Sequence, residues 1–142
     1  MRYFLILLSF VTVACAQTSK TETNNKAKET TTKVVSKQET VISKVVSPAE
    51  FKTIIAKENV QLVDVRTPGE YSEGNINDAK NIDFFESDFK TKMNTLNKNV
   101  PLAIYCRSGG RSGKAAKMLK KMGFKEVYDL KGGYNLWSKT MK

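Results

Sequence analysis

From about residue 41 onward, hydrophobic positions follow two patterns that alternate along the chain. The first pattern is a short run of apolar or β-branched residues. Such runs have the length of β-strands, and those at 60–65 and 100–105 are apolar enough to be buried on both faces of a sheet. Strands are therefore predicted at 41–46, 60–65, 79–83, 100–105 and 126–130.

Between these runs, apolar residues recur at the spacing of one helical face. The first helix has the clearest start, because Ser47 can cap it, Pro48 suits its first turn and Glu50 completes a capping box. It should extend to about Lys57. Further helices are predicted as a short turn at 68–72, a helix at 84–96 with Phe85, Phe89, Met93 and Leu96 on one face, a helix at 112–122 ended by Gly123, and a short helix bearing Leu136 and Trp137.

Strands that alternate with helices are typical of an α/β fold. The predicted architecture is a small, mainly parallel sheet flanked by helices on both faces. In such sheets, functional crevices lie beyond the carboxyl ends of the strands. Cys106 is found at such a place, because it follows the strand 100–105 and precedes the helix 112–122.

The first residues have the features of an export signal. Arg2 is followed by an uncharged, mostly apolar run at 3–13, which is too short to cross a bilayer and suits the core of a signal peptide. We expect residues 1–14 to be a lipoprotein-type signal peptide and Cys15 to carry lipid. The lipid would anchor the protein to a membrane of the bacterial cell envelope, in the periplasm. The alternative is cleavage after Ala16, which would release a soluble periplasmic protein.

A change of composition separates this signal from the folded part. Residues 15–40 are rich in Thr, Lys, Ser, Asn and Glu and have little apolar content. Such a segment cannot bury enough surface to offset the entropy of ordering. We therefore expect a disordered polar tether at 15–40 and one folded domain at 41–142.

The charge of the chain narrows the choice of partners. The chain has 142 residues and a formal net charge of +10, with lysines spread from Lys20 to Lys142. A nucleic-acid-binding protein usually concentrates its basic residues on one motif or face. We therefore expect no nucleic-acid partner, and a monomer whose solvated basic surface attracts anions.

Cysteine and histidine counts restrict the chemistry. The chain has two cysteines and no histidine, so a Cys–His nucleophile pair is excluded. One thiol cannot form a structural zinc site, and no metal is expected. Once Cys15 is lipidated or removed, Cys106 is the one thiol left. A lone cysteine is often a small buried hydrophobe, but an unpaired thiol is unusual in an exported protein and indicates a reactive group.

The residues after Cys106 favour that second interpretation. Gly109 and Gly110 allow a tight turn whose backbone N–H groups point inward. The following helix directs its free N–H groups and positive dipole end to the same place, and Arg107 and Arg111 add charge. These features form a cradle for an anion. They also lower the pKa of a thiol, whose thiolate is the nucleophile.

The chain resembles the single-domain rhodanese family of sulfurtransferases in three segments: LVDVRTPGEYSEGNI at 62–76, PLAIYCRSGGRS at 101–112 and VYDLKGGYNLW at 127–137. The resemblance implies that Cys106 takes a sulfur atom from an anionic donor of the thiosulfate or persulfide type, carries it as a persulfide and passes it to a thiophilic acceptor. It implies no cofactor other than this covalent intermediate. It also implies that the donor is bound by Arg107, Ser108, Gly109, Gly110, Arg111 and Ser112.

Other matched positions belong to the surroundings of the loop. The resemblance implies that Asp64 and Arg66 support the loop through hydrogen bonds and an ion pair, although an ordinary structural pair elsewhere is an alternative. Gly132 and Gly133 match the closing turn of the family, and Trp137 matches a packing anchor in the core. Asn75 is a departure, because the family usually has a histidine there.

Two other functions stay open from the sequence. A cysteine-dependent phosphatase or arsenate reductase has a similar architecture, but its cysteine and arginine are separated by five residues, whereas four separate Cys106 from Arg111. The shorter loop favours a single sulfur atom over a tetrahedral oxyanion. A non-catalytic interaction module of the periplasm is the other alternative.

Overall fold

The computed structural model describes residues 40–141, and the order of elements in it is that of an α/β domain. The strands are β1 (Ile42–Val46), β2 (Gln61–Asp64), β3 (Lys80–Asn81), β4 (Leu102–Tyr105) and β5 (Glu126–Leu130). These five parallel strands form one sheet in the order β1-β5-β4-β2-β3. This confirms the predicted fold class.

Helices cover both faces of the sheet, as parallel strands require. The helices are α1 (Pro48–Ile55), α2 (Pro68–Ser72), α3 (Phe89–Asn94), α4 (Gly110–Lys121) and α5 (Gly133–Thr140). Residues of α3 and α4 pack with Val63, Ile104 and Val127 on one face, and residues of α1 and α5 pack with Ala103 and Tyr105 on the other.

Strand β4 lies in the middle of the sheet and carries the thiol at its end. All four of its residues are buried. Since side chains alternate along a strand, Leu102 and Ile104 belong to one core and Ala103 and Tyr105 to the other. Cys106 continues the alternation and packs in the core under α4. Two packed layers thus hold the position of the thiol.

Local capping explains where two helices begin. The Ser47 side chain accepts a hydrogen bond from the Glu50 backbone, and the Glu50 carboxylate accepts one from the Ser47 backbone. This is the predicted capping box. Thr67 and Glu70 form a second one at the start of α2. The second box orients the Glu70 side chain at the end of β2, close to the carboxyl edge of the sheet.

Three predicted boundaries were wrong. The helix predicted at 84–96 begins only at Phe89, because the Asp83 carboxylate accepts a hydrogen bond from the Phe85 backbone and holds a turn there. Phe85 is consequently 70 % exposed and does not belong to the core. The strand predicted at 79–83 contains only Lys80–Asn81. The helix predicted to begin at Ser112 begins at Gly110, so that the second half of the loop is the first turn of α4.

Several expectations concern other parts of the chain. The signal peptide at 1–14, lipidated Cys15, and all but the last residue of the tether at 15–40 lie outside the described residues. Within residues 40–141, no helix is long and apolar enough to cross a bilayer. The same part of the chain contains no cluster of three or more metal-ligating side chains of the His, Cys, Asp or Glu type.

Candidate active site

The thiol of Cys106 lies at the floor of a turn between β4 and α4. Cys106 is 1 % exposed and is not in a disulfide. Its Sγ accepts a hydrogen bond from the Gly109 backbone N–H at 3.1 Å and another from the Ser112 hydroxyl at 3.5 Å. The sulfur is therefore surrounded by donors and not by apolar groups alone.

The backbone of the turn determines this arrangement. Gly109 has a φ of +97°, a conformation that a residue with a side chain rarely adopts. It is the N-cap of α4 and places its own N–H against the sulfur, while its carbonyl accepts a hydrogen bond from Gly113 at 2.9 Å. Since the first N–H groups of a helix have no partner within the helix, α4 points unpaired donors and its positive dipole end at the thiol.

The pKa of Cys106 reflects both burial and these donors. Burial raises the pKa of the thiol, but hydrogen bonds from the Ser112 side chain and from the backbone of Ser112, Ser108 and Gly109 outweigh it. The net result is a pKa below the ordinary value of cysteine. A thiolate, which is the nucleophilic form, is thus stabilised without any histidine.

The two loop arginines differ in their contacts. Arg111 donates from Nη1 and Nη2 to the two oxygens of Glu70, each at 2.6 Å, and its ring contact is with exposed Phe85 at 5.5 Å. Arg107 is 67 % exposed, and its Nε lies 3.9 Å from the same carboxylate. Glu70 thus holds the Arg111 guanidinium at the rim, and the binding of the donor by residues 107–112 stays a prediction.

The Arg111–Glu70 pair nevertheless belongs to the electrostatics of the site. The hydrogen bond from Arg111 lowers the pKa of Glu70 to about 2. The pKa of Arg111 is raised mainly by its hydrogen bond to Glu70, and the charge on Cys106 adds to that effect. Arg111 is thus close enough to Cys106 to interact with the charge on the sulfur, although the N–H donors of its guanidinium are bound to Glu70.

Asp64 and Arg66 form a buried ion pair behind the site. Arg66 donates from Nη2 to Asp64 Oδ2 at 2.6 Å and to the Gly74 carbonyl at 2.6 Å. Its guanidinium lies 4.2 Å from the centre of the Tyr134 ring. The hydrogen bonds of the pair do not join it to the loop 107–112, but the Tyr134 backbone donates to the Cys106 carbonyl at 2.8 Å. The role of the Asp64–Arg66 pair in supporting the loop stays a prediction. Tyr134 is the residue that connects the pair to the loop, because it contacts both Arg66 and Cys106.

The turn before α5 closes against the underside of the loop. Gly133 has a φ of +59°, and a Cβ at this position would overlap the Cys106 carbonyl oxygen and the backbone of Arg107. The backbone of α5 donates from Asn135 to the Arg107 carbonyl at 3.0 Å. Trp137 is partly buried and packs edge-on against Phe51, with the two ring centres 6.0 Å apart.

Asn75, which replaces the usual histidine of the family, has a local role. Its side-chain oxygen accepts a hydrogen bond from the Asp78 backbone at 3.0 Å. This bond holds the turn between α2 and β3, in which Asn77 and Asp78 both have positive φ. The side chain at position 75 therefore stabilises a turn.

Two residues at the site were missed from the sequence. Glu70 was not considered, although its capping-box spacing from Thr67 was readable. Asp129 is 4 % exposed and faces Ser112 from β5, and a carboxylate inside an apolar strand was the available signal. In both cases the partner in the loop is far away in the sequence, so spacing alone does not identify it.

Comparison with known proteins identifies the family. Residues 47–140 match the rhodanese-like domain. The chain is 39% identical over 101 residues to the uncharacterized protein YqhL of Bacillus subtilis, which covers 71% of this chain and 77% of that protein. It is 32% identical over 99 residues to a sulfurtransferase of Allochromatium vinosum, covering 70% of this chain and 91% of that one.

A longer relative and a solved structure complete the comparison. The chain is 35% identical over 98 residues to a tRNA uridine(34) hydroxylase of Pelagibacter ubique, but the match covers only 33% of that protein and 68% of this chain. The crystal structure of a rhodanese-related protein from Thermoplasma volcanium is similar with a TM-score of 0.60 at 27% identity, covering 68% of this chain and 91% of that one. From the fold, the matched residues and sulfurtransferase relatives, the chain belongs to the rhodanese-like family and contains a domain of the sulfurtransferase type.

Proposed function

We propose that the protein is a sulfurtransferase that moves a sulfane sulfur from an anionic donor, through a persulfide on Cys106, to a thiophilic acceptor. The observation that carries the proposal is the environment of the Cys106 sulfur. The Gly109 N–H and the Ser112 hydroxyl both donate to Sγ, beside the N-terminus of α4. Such donors stabilise charge on sulfur both before and after transfer.

The reaction needs only groups that the chain and its substrates supply. With thiosulfate as donor, the Cys106 thiolate attacks the outer sulfur, an S–S bond forms to Cys106, and the S–S bond of the donor breaks to release sulfite. The negative charge then lies on the outer sulfur of the persulfide. An acceptor such as cyanide attacks that sulfur, takes it as thiocyanate and returns the thiolate.

The surface around the thiol supports an anionic donor. Arg107 is exposed at the rim, and the charge of Arg111 is held nearby by Glu70. The backbone N–H groups at the start of α4 suit an oxyanion such as the sulfonate end of thiosulfate. A donor persulfide with a carboxylate would meet the same groups.

The test is the mass of Cys106 after exposure of the full chain to thiosulfate. Trypsin releases residues 99–107 as a peptide that contains Cys106 but not Cys15. We expect this peptide to gain one sulfur atom and to lose it after cyanide is added, with thiocyanate released. Cys106→Ser should abolish both events, whereas Cys15→Ser is the matched control and should leave them unchanged. A folded chain whose Cys106 gains no sulfur from thiosulfate or from a small persulfide would contradict the proposal.

The contacts of Arg111 favour this function over a phosphatase. A phosphatase arginine has to present its N–H groups to the phosphate, whereas Arg111 donates to both oxygens of Glu70. A non-catalytic module remains the other alternative. A scaffold would keep its partner binding in Cys106→Ser, so the same variant separates the two.

The site of action is also proposed from the sequence. The apolar run at 3–13 and Cys15 support export and attachment to a membrane of the cell envelope through lipid. In that case the donor and acceptor would be periplasmic and the protein a monomer on its tether.

A further inference from the structure

The two helices that cover one face of the sheet are uniformly basic. Together α3 and α4 contain seven lysines and arginines and no aspartate or glutamate. Within residues 40–141, two of the seven take part in ion pairs, because Lys92 pairs with Asp88 and Arg111 pairs with Glu70. The other five are lysines whose charge no carboxylate in that part of the chain balances. This layer of the domain therefore has an excess of positive charge.

Four of these lysines surround one cleft on the outer surface. The cleft has a volume of about 320 Å³ and is lined by Lys90, Lys114, Lys117, Met118 and Lys121. Lys114, Lys117 and Lys121 follow one another along one face of α4 at helical spacing, so like charges are neighbours there. Such pairs destabilise a helix. An anionic surface brought to this lysine cleft would relieve the repulsion.

An exposed aromatic ring lies at one end of the same layer. Phe85 is 70 % exposed, and the centre of its ring lies 5.5 Å from the guanidinium carbon of Arg111 in the first turn of α4. Its neighbour Phe84 packs against Phe89 at the start of α3, with the ring centres 5.3 Å apart. Exposed lysines beside an exposed apolar side chain are typical of surfaces that lie on a bilayer, where the lysines meet the headgroups and the ring enters the interface.

The chain enters the domain at the other end of this layer. The Ile42 backbone N–H donates to the Lys125 carbonyl at 2.7 Å, and Lys125 follows shortly after α4 ends at Lys121. Cys15, the predicted site of lipid attachment, precedes this point in the sequence. A chain anchored through Cys15 would therefore join the domain beside the C-terminal end of α4 and keep the lysine cleft within reach of the membrane.

These observations favour one anionic partner over the others. A second copy of this chain has the same charge on this face and would be repelled. A free phosphate is held best by converging backbone N–H groups, whereas the four lysines of the cleft are exposed side chains. An acidic bilayer offers many negative headgroups in one plane, together with an apolar interior for the Phe85 ring.

We propose that the outer face of α3 and α4 binds an anionic lipid bilayer through the lysine cleft, with the Phe85 ring entering the interface. The inference goes beyond the proposed sulfur transfer and holds whether or not Cys106 takes up sulfur. It assigns the domain a membrane-facing side, with α1 and α5 on the side that faces away. The Cys106 loop then lies beside the contact surface, because Arg111 of that loop contacts the Phe85 ring.

The experiment is the acetylation of lysines in the full chain, followed by peptide mass, with vesicles of phosphatidylglycerol or of phosphatidylcholine present. The lysines of the cleft should react about fivefold more slowly with phosphatidylglycerol than with phosphatidylcholine, the factor for one lysine held at an anionic surface. Raising the salt concentration should remove this protection. Lys52, Lys57 and Lys139 are the matched control, because they are exposed on or beside α1 and α5 and should react equally with both vesicles.

Further arms distinguish the bilayer from other anions. Inorganic phosphate stands for a free anion and polyglutamate for an acidic protein, and each should protect the cleft lysines less than phosphatidylglycerol does. Phe85→Ser should reduce the protection by vesicles, whereas Phe85→Trp keeps a ring and should retain it. The proposal would be overturned by equal protection with phosphate or polyglutamate, by equal slowing of the control lysines, by no slowing with phosphatidylglycerol, or by unchanged protection in Phe85→Ser.

Discussion

At the scale of single residues, the Glu70 carboxylate takes part in two separate sets of hydrogen bonds. Its carboxylate closes the capping box of α2 and also accepts both N–H donors of the Arg111 fork. A bidentate arginine pair is directional and among the strongest charge-assisted hydrogen bonds. Glu70 therefore links the end of β2 to the start of α4 across the mouth of the site.

We expect Glu70→Gln to lower the free energy of unfolding at neutral pH by roughly 1–2 kcal/mol, after allowance for the partial exposure of the pair. The folded pKa of Glu70 is about 2, below its ordinary value of 4.5. The stabilisation is therefore fully present above about pH 4.5 and lost as the pH falls toward about 2. Urea unfolding of both forms across this range measures the difference.

The exposed Glu58 offers a control, because Glu58→Gln should change stability little at any of these pH values. Gln at position 70 can still close the capping box, so the comparison isolates the ion pair. A Glu70→Gln deficit that persists unchanged at about pH 2 would contradict the assignment.

At the scale of elements, the site is the meeting point of two helix starts. Helix α4 directs its N-terminus at the sulfur, and α5 starts under the loop with Gly133 against the Cys106 carbonyl. Both N-caps, Gly109 and Gly132, have a left-handed backbone. Two tight turns therefore hold the thiol from above and below, and neither tolerates a displaced backbone.

Gly133→Ala should move the loop and slow the reaction of Cys106. The added Cβ would overlap the loop backbone at a residue with a φ of +59°. We expect a loss of about 1–3 kcal/mol in the free energy of unfolding, with slower sulfur loading and alkylation of Cys106. Gly69→Ala is the matched control, since nothing lies within 4 Å of its Cβ position. Equal behaviour of the two variants would show that α5 does not hold the loop.

At the scale of the whole molecule, the sheet has two cores, and within residues 40–141 the Oδ1 atom of Asp129 is the one buried side-chain oxygen or nitrogen without a hydrogen-bond partner. The two cores are apolar and meet at β4. Asp129 lies in the layer under α4, where Val127 on the same strand is also buried. Because of this burial, the Asp129 carboxyl group makes the folded state less stable as the pH rises, whereas the Glu70 carboxylate makes it more stable.

We expect Asp129→Asn to be more stable than the unmodified chain at neutral pH and equally stable near pH 4. The folded pKa of Asp129 is about 6, above its ordinary value of 3.8. The folded state therefore binds the proton more tightly, and stability is lost as the pH rises from about 4 to about 6. Removing the charge should recover about 2–3 kcal/mol above that range. Thermal unfolding at several pH values measures this, and a constant difference at all of them would contradict it.

Much of the fold was predictable because it depends on neighbours in the sequence. Runs such as 100–105, and the spacing from Ser47 to Glu50, predict strands and a helix start from local preferences alone. The predicted start of the helix at 84–96 was wrong for a local reason too. The Asp83 carboxylate accepts a hydrogen bond from the Phe85 backbone, and the resulting turn forms in place of the helix that the apolar spacing of Phe85 predicted. Short turns of this kind compete with helices at energies too small to rank from a pattern.

The sequence by itself determined the alternation of strands and helices, the place of Cys106 at the end of a strand, and the absence of histidine from its chemistry. Only the tertiary structure decided which groups meet the thiol and its loop. Glu70 reaches Arg111 across 41 residues of sequence, and Asp129 reaches Ser112 from another strand. The physical reason is that backbone preferences act over a few residues, whereas the partner of a buried charge is set by which elements the sheet order places side by side.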